Sequence, residues 1–102
     1  MKVIWLQRAE KALHQTGSYL LQEFGEVAYE KFIHDVEDVA YLLEGMPELG
    51  HYEPLLSHYP QGYRSIVINC LNKLIYYIKD DEILITALWD TRREPKSLTK
   101  NK

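Results

Sequence analysis

The chain is poor in the residues that would fasten it covalently or around a metal. Cys70 is the only cysteine among 102 residues, which excludes an internal disulfide framework and a cysteine-rich zinc site. It reads as an inert thiol at a turn, with no thiolate stabiliser beside it in sequence. His51 and His58 stand in a loop and read as surface histidines, too sparse a set for metal. No apolar run approaches the ~18 residues of a membrane span, and residues 1–11 lack the apolar centre of a signal peptide. The expectation is a cytoplasmic protein with no membrane partner. An excess of cations is missing too. Lys and Arg total 12 against 15 Asp and Glu, a formal charge of −3, so nothing draws nucleic acid in bulk and any such contact needs a local patch. There is no glycine-rich phosphate loop, no Ser/His/Asp or Cys/His arrangement and no internal repeat. Glu30, Glu37, Asp38 and Glu44 read as a solvated helix face rather than a catalytic carboxylate pair. Nothing calls for a cofactor.

What the chain does have is clear periodicity. Its length suits one small domain over residues 1–102, with 96–102 as a polar tail. Residues 2–6 form a short apolar run and read as a strand. Over residues 8–24, Ala9, Leu13, Thr16, Leu20 and Phe24 recur on one face of a helix. Gly17 inside it costs about 1 kcal/mol relative to alanine, and signals close packing against the next helix. Gly25 breaks the run. A second helix follows to about residue 44, with Tyr29, Phe32, Ile33, Val36, Val39, Ala40 and Leu43 as its buried stripe. Gly45 suits a left-handed C-terminal cap and Pro47 a stop. Residues 45–62 hold three glycines and three prolines and read as a loop anchored by Leu55 and Leu56.

Residues 63–95 organise the rest as three consecutive antiparallel strands and a cationic exit. Asp80-Asp81 is a plausible two-residue turn. It sets Ile78 against Ile83, Tyr76 against Ile85 and Leu74 against Ala87, all on one apolar face. A further turn at Leu71-Asn72 sets Ile68 against Ile75, Ile66 against Tyr77 and Arg64 against Lys79 on the other. The predicted fold class is α+β in the order β-α-α-β-β-β: an antiparallel sheet with an αα-hairpin on one face. The second face would then mix Arg64, Lys73 and Lys79 with Ile66, Ile75, Leu84 and Leu88. Arg92, Arg93 and Lys96 follow the last strand. Cations so gathered could hold a phosphodiester, or remain solvated and deter edge pairing. The aliphatics among them look like a surface that a protein partner covers.

A family resemblance rests on Leu43-Glu44-Gly45-Met46-Pro47-Glu48-Leu49-Gly50, Gly62-Tyr63-Arg64, Leu74-Ile75-Tyr76 and Trp89-Asp90-Thr91-Arg92-Arg93-Glu94-Pro95. In this order and spacing the chain resembles the RelE/ParE superfamily of bacterial type II toxin–antitoxin toxins. The resemblance implies a growth-inhibiting protein held inactive by a cognate antitoxin. It also implies one of two targets. RelE-like members are ribosome-dependent messenger-RNA endonucleases that need no metal. Carried over, their phosphate-binding cations fall on Arg64, Lys73 and Arg93. Ile66 stands where that group has a second strand lysine, and Thr99 stands near its aromatic acid/base. ParE-like members act on DNA gyrase and need no nuclease site. The long hairpin and the Thr91-Arg92-Arg93-Glu94-Pro95 ending resemble these more closely. The target- or antitoxin-binding candidates are then Arg64, Ile66, Ile75, Tyr77, Lys79, Arg92 and Arg93. A degenerate toxin that only binds its antitoxin is the third expectation.

Overall fold

A computed structural model describes residues 1–69 and 72–91. Strand β1 (Lys2–Trp5) leads into helix α1 (Gln7–Phe24), and α2 (Glu26–Gly45) follows at once. A two-residue strand β2 (His51–Tyr52) and a 3-10 turn (Pro54–Leu56) come next, then β3 (Arg64–Asn69), β4 (Asn72–Lys79) and β5 (Glu82–Asp90). The sheet runs β1-β5-β4-β3-β2. The α+β class, with a helical hairpin on the sheet, is as the periodicity predicts. The sheet is mixed rather than wholly antiparallel, because β1 lies at the edge beside β5 and runs parallel to it. The short β2 adds the opposite edge.

The main core lies between hairpin and sheet. Ala9 of α1 and Phe32, Val36 and Leu43 of α2 pack on Leu74, Tyr76, Ile83, Ile85 and Leu88. The helical periodicity places these side chains correctly, with one exception. Phe24 is 66% exposed at the hairpin tip, where its ring meets Tyr19 edge-on with centroids 6.3 Å apart. Gly17 is buried, and a Cβ there would come 3.0 Å from the Tyr29 ring. The missing side chain is what lets α1 and α2 approach. Gly25 makes the tight connection at φ 93°, a conformation that suits glycine. Gly45 has no positive φ and ends α2 as a helical residue, with Met46 after it. It is therefore not a left-handed cap.

The strand register departs from simple alternation at two places. Near the Asp80-Asp81 turn the predicted pairs hold: Ile78 faces Ile83 and Tyr76 faces Ile85. Asp80 takes φ 56° there, as a tight hairpin turn requires. Beyond Tyr76 a bulge intervenes, so Ile75 faces Ala87 and Leu74 faces Leu88. Thr86 is the extra residue, and a bulge shifts every later side chain on that strand by one. Leu88 thus joins the helix side, while Ala87 and Trp89 turn to the second face. The β3–β4 register also differs from the predicted one. Arg64 faces Tyr76, Ile66 faces Leu74 and Asn69 faces Asn72. Asn69 closes this end by accepting from the Asn72 backbone N–H at 3.0 Å and side-chain amide at 3.3 Å. Cys70 and half of the predicted Leu71-Asn72 turn lie outside the described residues.

The second face is not open. Leu56 and Tyr63 cover Ile75, Ala87 and Trp89 to make a second small core, with Leu55, Tyr59 and Tyr77 around it. Leu55 and Leu56 therefore do anchor the loop, but to the sheet face opposite the helices. Tyr63 meets Tyr77 and Tyr59 edge-on, at 5.3 and 6.2 Å between centroids. Burial is the main cause that pushes the Tyr63 phenol above its ordinary pKa; Tyr77 adds to it and Arg8 opposes it. Two glycines separate tight from loose packing. A Cβ on Gly50 would meet Ser65 O at 2.7 Å and the Tyr76 hydroxyl at 2.8 Å, while one on Gly45 meets nothing. Gly50→Ala is expected to cost about 1–3 kcal/mol by overpacking. Gly45→Ala is expected to be neutral or stabilising by up to about 1 kcal/mol. Urea denaturation of the two variants checks the contrast.

Candidate functional site

The predicted cationic constellation divides across the sheet. Arg64 lies opposite Tyr76 and therefore on the helix side. Lys73, Ile75, Tyr77 and Lys79 alternate onto the other face. The observed β3–β4 register is three residues from the predicted one, and any odd shift exchanges the faces because strand side chains have a period of two. The predicted single face holding Arg64, Lys73 and Lys79 is thus not formed. Ile66 packs on the helix-side core, Ile75 is 1% exposed and Leu88 is buried on the helix side. No partly exposed aliphatic patch gathers these residues with the cations. Tyr77 is half-buried in the second core, and Lys79 is exposed beside the hairpin turn. Arg92, Arg93, Lys96 and Thr99 lie outside the described residues.

Arg64 is held by backbone carbonyls. Its Nη1 donates to Gly50 O at 2.7 Å and to Glu48 O at 3.4 Å. Its guanidinium lies 4.2 Å from the Tyr52 ring centroid, within reach of a cation–π attraction. Tyr76 ties down the same loop from below. Its hydroxyl accepts from the Gly50 N–H at 2.9 Å and donates to Pro47 O at 2.8 Å. Burial first of all raises the Tyr76 phenol pKa, against the Gly50 hydrogen bond and Arg64. The phenol therefore stays neutral and keeps the proton it donates. Arg64 and Tyr76 together fasten the segment between α2 and β2.

Lys73 has a partner that the sequence does not advertise. Its Nζ pairs with Glu53 Oε1, and Glu53 is only 2% exposed. Ser65 Oγ donates to the same carboxylate at 2.9 Å, and the Leu55 N–H donates to Oε2 at 2.9 Å. Glu53 thus caps the 3-10 turn and holds the 53–63 segment on the sheet. Lys73 also lies 5.6 Å from the Trp89 ring centroid. The Trp89 indole N–H is buried and has no hydrogen-bond partner among the described residues. Glu53, Ser65 and Trp89 escape a reading of the sequence because 53 and 65 are joined only through the fold. The one local signal is a carboxylate just before Pro54, and glutamate is not among the favoured caps.

Among the described residues, no group of three or more His, Cys, Asp or Glu side chains is placed to hold a metal. No helix there is long and apolar enough to cross a membrane. His51 and His58 are both exposed, and the His58 ring lies 4.1 Å from that of Tyr59.

Comparison with known proteins fits this architecture. Residues 3–95 match the sequence profile described as "ParE toxin of type II toxin-antitoxin system, parDE". The chain belongs to the ParE toxin family. No curated protein gives a significant sequence match. Among solved structures, a chain of the chromosomal ParDE toxin–antitoxin system from P. aeruginosa superposes with a TM-score of 0.72 at 19% identity, over 88% of this chain and 95% of that one. The YoeB dimer from Staphylococcus aureus gives 0.58 at 20% identity, over 85% and 92%. The YoeB/ParE toxin from Agrobacterium tumefaciens gives 0.57 at 14%, over 88% and 98%. At these identities the likeness is one of fold.

The Glu53 carboxyl carries a pH dependence. Burial would raise its pKa, but Lys73, the Leu55 N–H and Ser65 together outweigh it and hold the group below the usual carboxylate value. A depressed folded pKa contributes stability that is present above the unfolded value of about 4.3 and lost as pH falls through the folded one. Stability is therefore expected to fall on acidification below about pH 4.5. Glu53→Gln should be less stable at pH 7 and lose less over the same range. Denaturant midpoints measured from pH 7 to pH 3 check the sign.

Proposed function

We propose that this protein is the toxin of a type II module, that it inhibits growth by binding an essential target in the cytoplasm, and that a cognate antitoxin neutralises it. DNA gyrase is the favoured target. Family membership supports the toxin role. One observation favours binding over RNA cleavage: the two described cations of the nuclease reading are already engaged. Lys73 is paired with a buried carboxylate, and Arg64 donates to the carbonyls of Glu48 and Gly50. A cation so occupied has little left for a phosphodiester in its cleavage transition state. The P. aeruginosa structure contains a ParDE toxin–antitoxin system, which supports an antitoxin as partner here. The second reading is ribosome-dependent messenger-RNA cleavage by Arg64, Lys73 and Arg93. It requires Lys73 to leave Glu53 and Arg64 to leave its carbonyls before substrate binds.

Purified protein is expected to inhibit gyrase supercoiling and to leave translated messages uncut in primer extension. Codon-positioned cuts with gyrase unaffected would overturn the proposal. Arg64→Ala is expected to lower stability by about 1–3 kcal/mol, as loss of a charged donor does, rather than to remove inhibition selectively. Thermal melts run beside the supercoiling assay separate the two effects.

A further inference from the structure

The segment that covers the second face of the sheet is fastened largely to itself. The Glu53 N–H donates to Tyr63 O at 2.9 Å, so its two ends meet at a neck. Beyond the neck, the Leu56 N–H donates to Glu53 O at 3.1 Å, the Ser57 N–H to Pro54 O at 3.3 Å and the Tyr59 N–H to Leu56 O at 3.1 Å. A surface loop closed at its base and packed by its own side chains is an Ω-loop. Its internal bonds travel with it. Swinging residues 54–62 away from the sheet breaks none of them and leaves every strand pairing in place.

Two things hold the loop down. Leu56 packs with Ile75, Ala87 and Trp89, with Leu55 and Tyr59 at the margin. Glu53 acts as a bracket at the neck. Its Oε1 takes the Lys73 ammonium and the Ser65 hydroxyl from the sheet, while its Oε2 takes the Leu55 N–H from the loop. Several features confine an opening to this layer. The second core shares no residue with the core beneath the helices, so one can part while the other stays packed. Gly62 supplies a joint at φ 73°, a conformation open to glycine and strained for other residues. Ser57, His58, Pro60 and Gln61 already face solvent, so the loop lifts straight into water. The closed state also carries a penalty. It buries the Trp89 indole N–H with no partner among the described residues, and water satisfies that donor once the layer parts.

We infer that residues 54–62 are a hinged cover, braced by Glu53, that opens as a unit on an otherwise folded protein and bares the Ile75, Ala87 and Trp89 surface beside Lys73. Cooperative opening of one such unit below the global transition is a general property of folded chains. The inference does not depend on which target the toxin has.

The test uses the full chain with Cys70→Ser, which removes the natural thiol. Ala87→Cys then places a thiol under the cover, and Ala9→Cys places one in the core beneath the helices; both alanines are buried. Labelling by a soluble disulfide reagent reports access to each, relative to the same thiol in the unfolded chain. Position 87 is expected to label at least about tenfold faster than position 9. Its rate should also depend far less on urea, because that slope scales with the surface exposed in the opening step. Glu53→Gln should speed labelling at position 87 by about tenfold or more, as loss of a charged hydrogen-bonded group does. Val36→Ala loosens only the helix-side core, so it should speed position 9 and leave position 87 nearly unchanged. Circular dichroism confirms that each variant folds. On the unaltered chain, exchange of the Trp89 indole N–H followed by NMR should respond weakly to urea, and that of the Ile83 and Ile85 amides steeply. Equal rates and equal urea slopes at positions 87 and 9 overturn the cover, as does a Val36→Ala effect of the same size at both. An indole N–H that exchanges with the steep slope of β5 overturns it without any substitution. Unchanged labelling at position 87 in Glu53→Gln overturns the bracket.

Discussion

Strands β4 and β5 are buried on both faces, and this constraint shapes everything around them. A sheet with one wet face needs a single covering layer. This one has the hairpin on one side and the 53–63 segment on the other. A loop of that kind brings its own backbone polar groups toward the sheet, and they must be satisfied there. Glu53 meets part of that demand. One carboxylate accepts the Leu55 N–H, the Ser65 hydroxyl and the Lys73 ammonium. The charge on Lys73 serves architecture as a result, and these donors hold the Glu53 carboxyl below its usual pKa although it is almost fully buried. The Arg64–Tyr76 assembly performs the equivalent task for the segment leading into β2.

The helical layer and the order of elements are legible in the sequence because each rests on a local signal. Gly17 announces the close approach to Tyr29, and the stripe from Phe32 to Leu43 announces the buried side of α2. The Asp80-Asp81 turn is legible for the same reason, and it sets the nearest β4–β5 pairs correctly. Pairings farther from a turn are not, since a bulge leaves no mark in an apolar run such as Ile83-Leu84-Ile85-Thr86-Ala87-Leu88-Trp89. The β3–β4 register is lost similarly: Asn69 and Asn72, which close that hairpin by side-chain hydrogen bonds, do not form one of the familiar two-residue turn signals. The three-residue error in the β3–β4 register moves Arg64 from one side of the sheet to the other, and the bulge does the same to Leu88 and Trp89. The Glu53–Lys73 pair spans twenty residues of sequence and is visible only once the chain is folded.

For function, the consequence is a change in what the cations mean. Read linearly, Arg64, Lys73 and Lys79 form a charged surface. In three dimensions the first two are structural ties and the third is a solvated lysine beside a turn. Membership in the ParE toxin family gives the chain its biological setting. Exposed apolar side chains remain at the hairpin tip (Phe24, Val27), near the C-terminal end of α2 (Tyr41, Leu42, Met46) and on β2 and β3 (Tyr52, Val67).

The bulge at Thr86 has a mechanical meaning as well. The carbonyl of Thr86 accepts from the Arg8 Nε at 3.1 Å, so the start of α1 is pinned to the one point where β5 changes phase. The strand thereby behaves as two short pieces joined at a fixed joint, each facing its own layer. Pairing Thr86 in regular register with Ile75, without the bulge, would leave the piece beside β1 in place and turn the other over, delivering the Trp89 indole to the helices and Leu88 to the tyrosines. The two hydrophobic layers are therefore kept apart by a single extra peptide unit.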